Sequence, residues 1–312
     1  GVSLTIILDC VMTFFGSTAN DAAFNAWLTD STDSTNRGAA EGINAMMPLV
    51  SILVVFGGFM SFDLSLSSSW TTIFLIIGGV VVLIGILGLF LIRDTAVKIP
   101  ENRHYFRNIV YGFRPSVMKQ NPVLYATLAA FAVFGISIQI FMPYLIIYYE
   151  VSLQMTNYVL IMAPAIILAS VVTALWGRVY DKKGFTYSGL IAVLGLMVGY
   201  VILFFTKTTV PVFIGSLFMM SGYLAGMAVF GAVIRDNTPV GKAGRLQGVR
   251  IFSQVLIPGV VGPAIGKKVL ENAEVMVNND GTASFIPNEN IFLAALIAII
   301  LVLPFFIKRK KR

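Results

Sequence analysis

The stretch NDAAFNAWLTDSTDSTNRGAAEG, residues 20–42, begins with a carboxylate, Asp21, inside an apolar run and ends in a polar loop with one arginine. A charged side chain at membrane depth is costly unless it faces a cavity or a partner. Much of the same pattern returns about two hundred residues later. The repeat therefore bears on the fold of the whole chain, and the isolated acid bears on its function.

The composition is typical of a membrane protein. Of the 312 residues, 57% are hydrophobic and 12% are charged, whereas soluble domains carry about 25% charged residues. Nine apolar runs of about 18–26 residues are long enough to cross a hydrocarbon core of about 30 Å. The runs occupy 3–28, 43–62, 71–93, 122–147, 156–177, 187–206, 209–234, 247–267 and 291–308. We therefore predict an all-α polytopic membrane protein.

The basic residues are distributed unevenly among the connections. Nineteen of the 22 Lys and Arg residues lie in alternate loops and in the C-terminal tail, and three lie in the opposite loops. Because short basic loops stay in the cytoplasm, we expect a multi-pass protein of the cell membrane with a cytoplasmic C-terminus. The spread of these charges over many loops argues against a nucleic-acid-binding patch. The terminal KRKKR predicts either an anchor near anionic lipid or a plain flank of the last span.

The longest connection on the basic side covers residues 100–121. Phe106, Ile109, Val110 and Phe113 recur there at i, i+3, i+4 and i+7, which predicts a short helix lying in the membrane interface. The connection separates the first three runs from the last six, as a linker between two domains would. The predicted parts are 1–93, a linker 94–121, and 122–312 with its basic tail.

Several kinds of chemistry are not supported by the sequence. Cys10 is the single cysteine, which excludes an intrachain disulfide, and His104 is the single histidine, so neither a histidine metal cluster nor a Ser-His-Asp arrangement is visible. GPAIGKK at 262–268 lacks the spacing and the final Ser or Thr of a nucleotide-binding P-loop. We expect no enzyme, no metal and no cofactor, and the sequence shows no means of hydrolysing ATP.

The internal repeat predicts two related halves. Residues 16–42 align without a gap on residues 222–248, and nine of the 27 positions are identical, where chance would give about three. Such repeats mark transporters built from two halves. The copies lie in the first and seventh runs, so an even number of spans separates them and the halves share one orientation. With six spans in each half, three spans would precede Gly1, and the nine runs would be spans 4–12.

Two six-span halves joined by a long central loop resemble the major facilitator superfamily. The stretch GRVYDKKGF, residues 177–185, is similar to the superfamily's G-x-x-x-D-[RK]-x-G loop motif. The resemblance implies a gating element. The Asp181 carboxylate would accept hydrogen bonds either from helix N-terminal amides or from a nearby arginine. The motif residues are Gly177, Arg178, Asp181, Lys182 and Gly184. The polar loops of the repeat are interpreted as shared scaffold and gate, and they add Arg37, Asp236 and Arg245.

The pattern D-x-A-F-x-A-W-x-T-D-x-T-x-x-x-x-R-G, which starts at Asp21, resembles the glycoside–pentoside–hexuronide:cation symporters, the melibiose-carrier group. The resemblance implies symport of a sugar with Na⁺ or H⁺ by alternating access, and we expect a monomer. A lysine of the best-known member is replaced here by Pro258 and Gly259, which argues against melibiose itself. The alternatives are a carrier or exporter of another solute, such as a lipid or drug, and a membrane sensor or scaffold without transport.

The candidate binding residues follow one side of the first run. Asp21 is about 10 Å from the basic end of its span at 1.5 Å per residue. Helical spacing aligns Ser17 and Asn25 with Asp21, and Asp9 and Asn20 form an adjoining strip. The resemblance implies that Asp21 helps to hold the cation and the sugar. The alternative is a static contact between Asp21 or Asp9 and a buried cation or the backbone.

The later runs supply further candidates. Gln254 matches a polar position that the family uses near the sugar, and Arg250 is either a gate charge or a ligand. Gln139, Tyr144 and Tyr223 are weaker candidates for the solute site. Tyr148 and Tyr149 are expected in the aromatic belt at the membrane interface, and the glycines at 222 and 226 are expected to pack helices.

Overall fold

The computed structural model describes residues 2–59, 62–63, 66–92, 110–155, 158–277 and 283–309. The structure is 84% helical. The predicted all-α polytopic fold is confirmed, with the addition of one small hairpin of strands β1 (Val275–Val277) and β2 (Ala283–Phe285), in which Met276 pairs with Ser284. The NNDG turn that joins the two strands lies outside the described residues.

The helices follow the predicted runs. They are α1 (Val2–Ser17), α2 (Asn25–Asp30), α3 (Arg37–Phe59), α4 (Ser67–Leu91), α5 (Pro115–Gln120), α6 (Pro122–Phe141), α7 (Leu145–Ile147), α8 (Val159–Phe205), α9 (Thr209–Asp236), α10 (Ala243–Ile251), α11 (Ile257–Val269), α12 (Asn290–Ile300) and α13 (Leu303–Arg309). Three π-helical segments interrupt them: π1 (Thr18–Phe24), π2 (Tyr148–Ser152) and π3 (Phe252–Leu256). Within the described residues, five helices are long and apolar enough to cross a membrane. The count of nine spans stays a prediction.

Helix α8, Val159–Phe205, covers most of two predicted runs, 156–177 and 187–206. Gly184 breaks it, with φ 74° and ψ 178°, a conformation that residues with a Cβ rarely adopt. Ser188 begins the next helical stretch by donating its hydroxyl hydrogen bond to the Gly184 carbonyl at 2.7 Å. The bend divides α8 into two helical stretches, as the two predicted spans require, with the GRVYDKKGF stretch at the turn.

The chain forms two compact units, residues 1–46 with 102–312, and residues 47–101. The smaller unit consists of most of α3, which has Pro48 in its interior, and of α4, in which Ile73 is buried. In the larger unit, α8 packs along α9, and α6 packs against α11 and α12. These helices position the residues that the sequence singled out as a gate.

Glycines permit the closest helix contacts of the larger unit. A Cβ on Gly222 would lie 2.7 Å from the Cα of Leu196, so α8 and α9 approach backbone to backbone. Gly226 makes room for the ring of Phe134, which stacks near Phe230 with ring centroids 5.3 Å apart. The expectation that these two glycines pack helices agrees with this geometry, because small residues let helix backbones come together.

One expectation needs correction. Tyr148 and Tyr149 are 1% and 0% exposed and lie inside the larger unit, where Tyr149 shares a buried hydrogen bond of 2.6 Å with Ser216. The prediction of a lipid-facing aromatic belt at these two residues is therefore wrong. The short interfacial helix predicted within 100–121 stays a prediction, and the described part of this connection has a 3₁₀ turn at Tyr111–Phe113 followed by α5 from Pro115. Phe106 and Ile109 lie outside the described residues.

The glycine contact between α8 and α9 gives a prediction. Gly222→Ala should lower the free energy of unfolding by about 1–3 kcal/mol, because the added methyl overlaps the Leu196 backbone. Gly195→Ala is the matched control, since a Cβ there meets nothing within 4 Å and alanine favours helix. Thermal unfolding in detergent measures both variants. Equal midpoints for the two would contradict the close helix contact.

Candidate functional site

The turn before α3 is held by its own polar groups. Thr35 donates to the Asp33 carboxylate from its amide at 2.8 Å and from its hydroxyl at 2.5 Å. The hydroxyl bond is the main reason why the pKa of Asp33 is below its usual value. The Asp33 amide in turn donates to the Asn36 side chain at 3.0 Å. This turn places Arg37 at the start of α3.

The first turn of α3 meets the motif loop. The amide of Gly38 donates to Asp181 Oδ1 at 2.7 Å, and the amide of Ala39 donates to Asp181 Oδ2 at 3.0 Å. Helix N-terminal amides have no partner inside the helix and carry partial positive charge, so a carboxylate there is stabilising. Two partners were expected for Asp181, helix amides or an arginine, and the hydrogen bonds found come from the helix amides.

The same contact brings two backbones together without side chains between them. A Cβ on Gly177 would overlap the carbonyl oxygen of Gly38, and a Cβ on Gly38 would overlap Gly177. One turn further on, a Cβ on Gly42 would lie 2.9 Å from the Thr173 carbonyl oxygen. Helices α3 and α8 therefore cross here at a distance that only glycine permits.

An ion pair lies beside the crossing. Arg37 Nη1 donates to Asp236 Oδ1 at 2.9 Å, and Arg37 Nη2 donates to the Thr29 carbonyl at 3.3 Å. The Tyr180 hydroxyl donates to the second oxygen of Asp236. Arg37 lies in the first copy of the repeat and Asp236 in the second, so the pair joins the two copies.

A buried network lies next to this pair and consists of Asn25, Thr29, Glu41, Arg235 and Arg250. Arg235 is 1% exposed and makes four hydrogen bonds, all to the first copy. Its Nη1 donates to Thr29 Oγ1 at 2.7 Å and to the Asn25 carbonyl, and its Nη2 donates to Asn25 Oδ1 at 2.7 Å. Its Nε donates to Glu41 Oε1. A buried guanidinium is tolerated when its N–H groups are satisfied in this way.

Glu41 holds a second arginine in the network. Its Oε1 lies 3.6 Å from Arg250 Nη2, and the two residues are 3% and 6% exposed. Gly231 makes room for the carboxylate, because a Cβ there would lie 2.8 Å from Glu41 Oε2. Arg250 therefore lies against Glu41, and both roles expected for it, gate charge and ligand, stay predictions.

Thr29 and Arg235 occupy the same position of the internal repeat, 206 residues apart. Their side chains are in direct contact at 2.7 Å. Equivalent residues of two copies related by a two-fold axis can touch only where they lie close to that axis. If the copies are related as the repeat predicts, the buried network lies at the centre of the contact between them.

The predicted strip on the first helix is brought only partly into this network. Asp9 and Ser17 are exposed on α1, and Asn20 is exposed on π1, where its carbonyl accepts a hydrogen bond of 3.0 Å from Asn25. Asn25 is the strip residue that contacts Arg235. The backbone of Asp21 lies in π1, and its side chain is outside the described part. Single-turn π segments often occur at functional sites.

The later candidates lie elsewhere in the larger unit. Gln139 and Tyr144 are half-buried where α6 crosses α11, beside Gly262 and Gly266. Gln254 and Tyr223 are half-buried on π3 and α9. In the described ranges, no hydrogen bond joins these four side chains to the buried network. Of the basic candidates, Arg178 and Lys182 are exposed, and Arg245 lies over the Tyr111 ring at 5.5 Å.

A polar cleft of about 580 Å³ lies among the loops with few basic residues, lined in part by Tyr148, Lys207, Glu274 and Glu289. Lys207 and Glu289 form an ion pair across 3.5 Å. None of the residues predicted for the solute site lines this cleft. The candidate functional site is therefore the buried network with its flanking glycine crossing.

Sequence reasoning missed Glu41, Arg235, Thr29 and Tyr180 as functional candidates. Arg235 was counted only as one of many loop charges. The repeat carried one usable signal, because Arg235 faces Thr29 in the alignment, and a charge in one copy opposite a small polar residue in the other suggests a contact between them. No spacing rule connects Glu41 to Arg235 across 194 residues.

A family model described as the Major Facilitator Superfamily matches residues 2–263. The match covers most of the chain, so the protein belongs to the Major Facilitator Superfamily. It is therefore a multi-pass membrane transporter, whose family carries small-molecule solutes across the bilayer. No match was found among curated proteins.

The close contact of α3 and α8 at Gly38 and Gly177 should decide how tightly the helices pack on the side of the Lys- and Arg-rich loops. Gly177→Ala should force α3 and α8 apart, because its methyl overlaps the Gly38 carbonyl. A cysteine introduced at buried Ala243, with all other cysteines replaced, reports the opening through its alkylation rate. We expect the rate to rise about tenfold, as a shift of about 1.4 kcal/mol would produce. Gly195→Ala is the control, and an unchanged rate in Gly177→Ala would contradict the crossing.

Removing the charge of Arg235 should raise the alkylation rate of the cysteine at position 243 more than Gly177→Ala does. Arg235→Gln leaves the buried Glu41 carboxylate without its nearest cation, and such a loss costs about 3–5 kcal/mol. Alkylation of the Ala243→Cys reporter should then rise at least 100-fold. Lys268→Gln is the control, because it breaks an ion pair whose side chains are 77% and 58% exposed. Similar rates in the two variants would show that the buried network does not hold the closed state.

Proposed function

We propose that the protein is a cation:sugar symporter that works by alternating access, and that the buried network is its cytoplasmic gate in the closed state. The observation that carries this proposal is the set of contacts of Arg235, a second-copy residue whose hydrogen bonds all go to the first copy. Contacts of this kind between two related halves must break when the solute site opens to that side.

The side assigned to the gate follows from the distribution of charge. The loops that form it, 29–42, 178–186 and 235–250, are among those rich in Lys and Arg, and the positive-inside rule places such loops in the cytoplasm. With this orientation the C-terminus is cytoplasmic and the protein lies in the cell membrane. We further propose that residues 1–93 and 122–312 belong to two halves joined by the linker 94–121, and that one chain transports as a monomer.

The proposed coupling runs through the first helix. Asp21 is one helical turn before Asn25, and Asn25 accepts two hydrogen bonds from Arg235, one at its side chain and one at its carbonyl. A carboxylate is a hard oxygen ligand suited to Na⁺ or H⁺. A cation at Asp21 would change the charge and the geometry of π1, and thereby the position of Asn25. Ion and solute are coupled when both favour the same conformation.

The proposed solute site uses polar residues that lie outside the buried network, on the first helix and in the second half. Asp9, Ser17 and Asn20 on the first helix, with Gln254 from the second half, would supply hydrogen bonds to a sugar. Gln139, Tyr144 and Tyr223 are the weaker candidates. The family resemblance supports the sugar class, and the polar strip supports transport over a scaffold without transport.

One observation favours a solute other than melibiose. Pro258 stands where the best-known melibiose carrier has a lysine, and its ring packs against Gly135, where a Cβ would lie 2.6 Å from Pro258 Cγ. The position therefore serves helix packing between α6 and α11. A carrier of another glycoside, or of a different small solute, would use the same gate.

The symport proposal is tested with the full-length protein in vesicles. Uptake of labelled sugars is measured with an imposed Na⁺ or H⁺ gradient and after the gradient is collapsed. Gradient-driven accumulation is expected for at least one sugar, and Asp21→Asn should abolish accumulation while the protein still inserts. Glu271→Gln, an equal charge change at an exposed residue, is the control. Uptake that ignores both gradients would overturn symport, and full accumulation in Asp21→Asn would remove Asp21 from the site.

A further inference from the structure

Three basic side chains surround one aromatic ring on the side of the Lys- and Arg-rich loops. Arg245 Cζ lies 5.5 Å, Arg114 Cζ 5.8 Å and Lys242 Nζ 5.9 Å from the centre of the Tyr111 ring. A cation over an aromatic ring gains about 0.5–1 kcal/mol at an exposed site. The ring has no net charge, so it leaves three like charges close together. A cluster of this kind attracts an anion.

The turn that carries the ring is fixed to two helices. The Tyr125 hydroxyl of α6 donates a hydrogen bond to the Gly112 carbonyl. Gly112 also lies against α10, where a Cβ on this glycine would be 3.1 Å from Val249 Cγ1. The backbone that carries Tyr111 is therefore held in place before any ligand arrives. Such preorganisation lowers the entropy lost on binding.

Two of the three cations have no carboxylate near them. Among the residues that the structure describes, neither Lys242 nor Arg245 forms an ion pair. This holds for Asp30 of α2, the short helix that packs on α10, and for Asp236, which Arg37 and Tyr180 engage. Lys242 and Arg245 are half-buried, so part of their surface is open to a ligand.

Apolar side chains continue the same face of α10 toward the membrane. Phe252 follows Arg245 by seven residues, about 10 Å along a helix axis. Its ring meets the edge of Phe113 with centroids 5.5 Å apart, and both rings are exposed. Leu256, one turn further, is exposed as well. A phospholipid has this arrangement of chemistry, a charged phosphate at the interface and acyl chains about 5–10 Å deeper.

We propose that this surface binds an anionic phospholipid of the leaflet on the basic side. The phosphate diester accepts hydrogen bonds from Arg245, Arg114 and Lys242, and an acyl chain packs along Phe113 and Phe252. Arginine suits this role, because its planar guanidinium matches the oxygens of a phosphate. The excess positive charge selects a lipid with a net negative headgroup over a zwitterionic one.

The lipid site uses a different face of α10 from the buried network. Arg250, which contacts Glu41, is buried, whereas Lys242 and Arg245 are half-buried against the Tyr111 turn. The bound lipid would hold this turn and α10 together and stabilise the folded protein by mass action. The inference does not depend on the transported solute or on the proposed gate.

The test compares phosphatidylglycerol with phosphatidylcholine of the same acyl chains, added to the full-length protein in a neutral detergent. Phosphatidylglycerol should raise the midpoint of thermal unfolding, saturably, by about 2–4 °C more than phosphatidylcholine does. Lys242→Gln combined with Arg245→Gln should remove this difference. Lys182→Gln combined with Lys183→Gln is the control and should keep it, because it makes the same charge change at exposed residues of another Lys- and Arg-rich loop.

Three results would overturn the proposal. Equal midpoints in the two lipids would show that the headgroup charge is not recognised. An equal loss of the difference in both double variants would show diffuse attraction to the basic loops. An equal rise with glycerophosphoglycerol, the soluble headgroup without acyl chains, would assign the site to a free phosphate diester.

A second measurement covers the case in which the Lys242 and Arg245 double variant fails to fold. Phosphatidylglycerol with a photoreactive diazirine near its headgroup is cross-linked to the wild-type protein, and the labelled peptides are mapped by mass spectrometry. Labelling is expected within 110–119 or 242–256, and an excess of unlabelled phosphatidylglycerol should suppress it. Labels found only in other segments would contradict the lipid site.

Discussion

The structure on the basic side depends on one constraint, the need to satisfy the buried guanidinium of Arg235. It is 1% exposed, and its four hydrogen bonds go to Asn25, Thr29 and Glu41. These partners come from two helices of the first repeat copy, so α2 and α3 must both lie against the end of α9. A buried charge fixes such an arrangement more strictly than apolar contact does, because each N–H requires an acceptor in a defined direction.

The backbone provides the proximity that the charges require. Gly38 and Gly177 let α3 cross α8 without side chains between them, and the left-handed Gly184 turns the chain where α8 reverses. Asp181 then caps the amides at the start of α3. These contacts are polar or made by small residues. A contact of this kind can separate and re-form without exposing a large apolar surface to water, which suits the gate proposed above.

The two copies of the repeat differ at several positions that make polar contacts. Positions that both copies keep, such as Gly38 with Gly244, belong to the frame of the loop. The buried network uses positions that differ, since Thr29 aligns with Arg235 and Glu41 aligns with Gln247, and Asp21 aligns with Met227. Asp236, which accepts from Arg37, is a kept position that matches Asp30. Arg235 and Glu41 are each present in one copy only, so their ion pair occurs once and not twice around the axis.

The sequence alone determined the class of the fold, since apolar runs of membrane length can satisfy their backbone only as helices. It also predicted a two-copy organisation and singled out the GRVYDKKGF loop, Arg37 and Asp236. It did not reveal Glu41 and Arg235 as partners or the burial of Tyr148 and Tyr149. Hydropathy reports whether a residue tolerates lipid, whereas partner choice depends on which helix faces lie together. Residues 194 positions apart meet through the crossing of helices, and only the tertiary structure decides that.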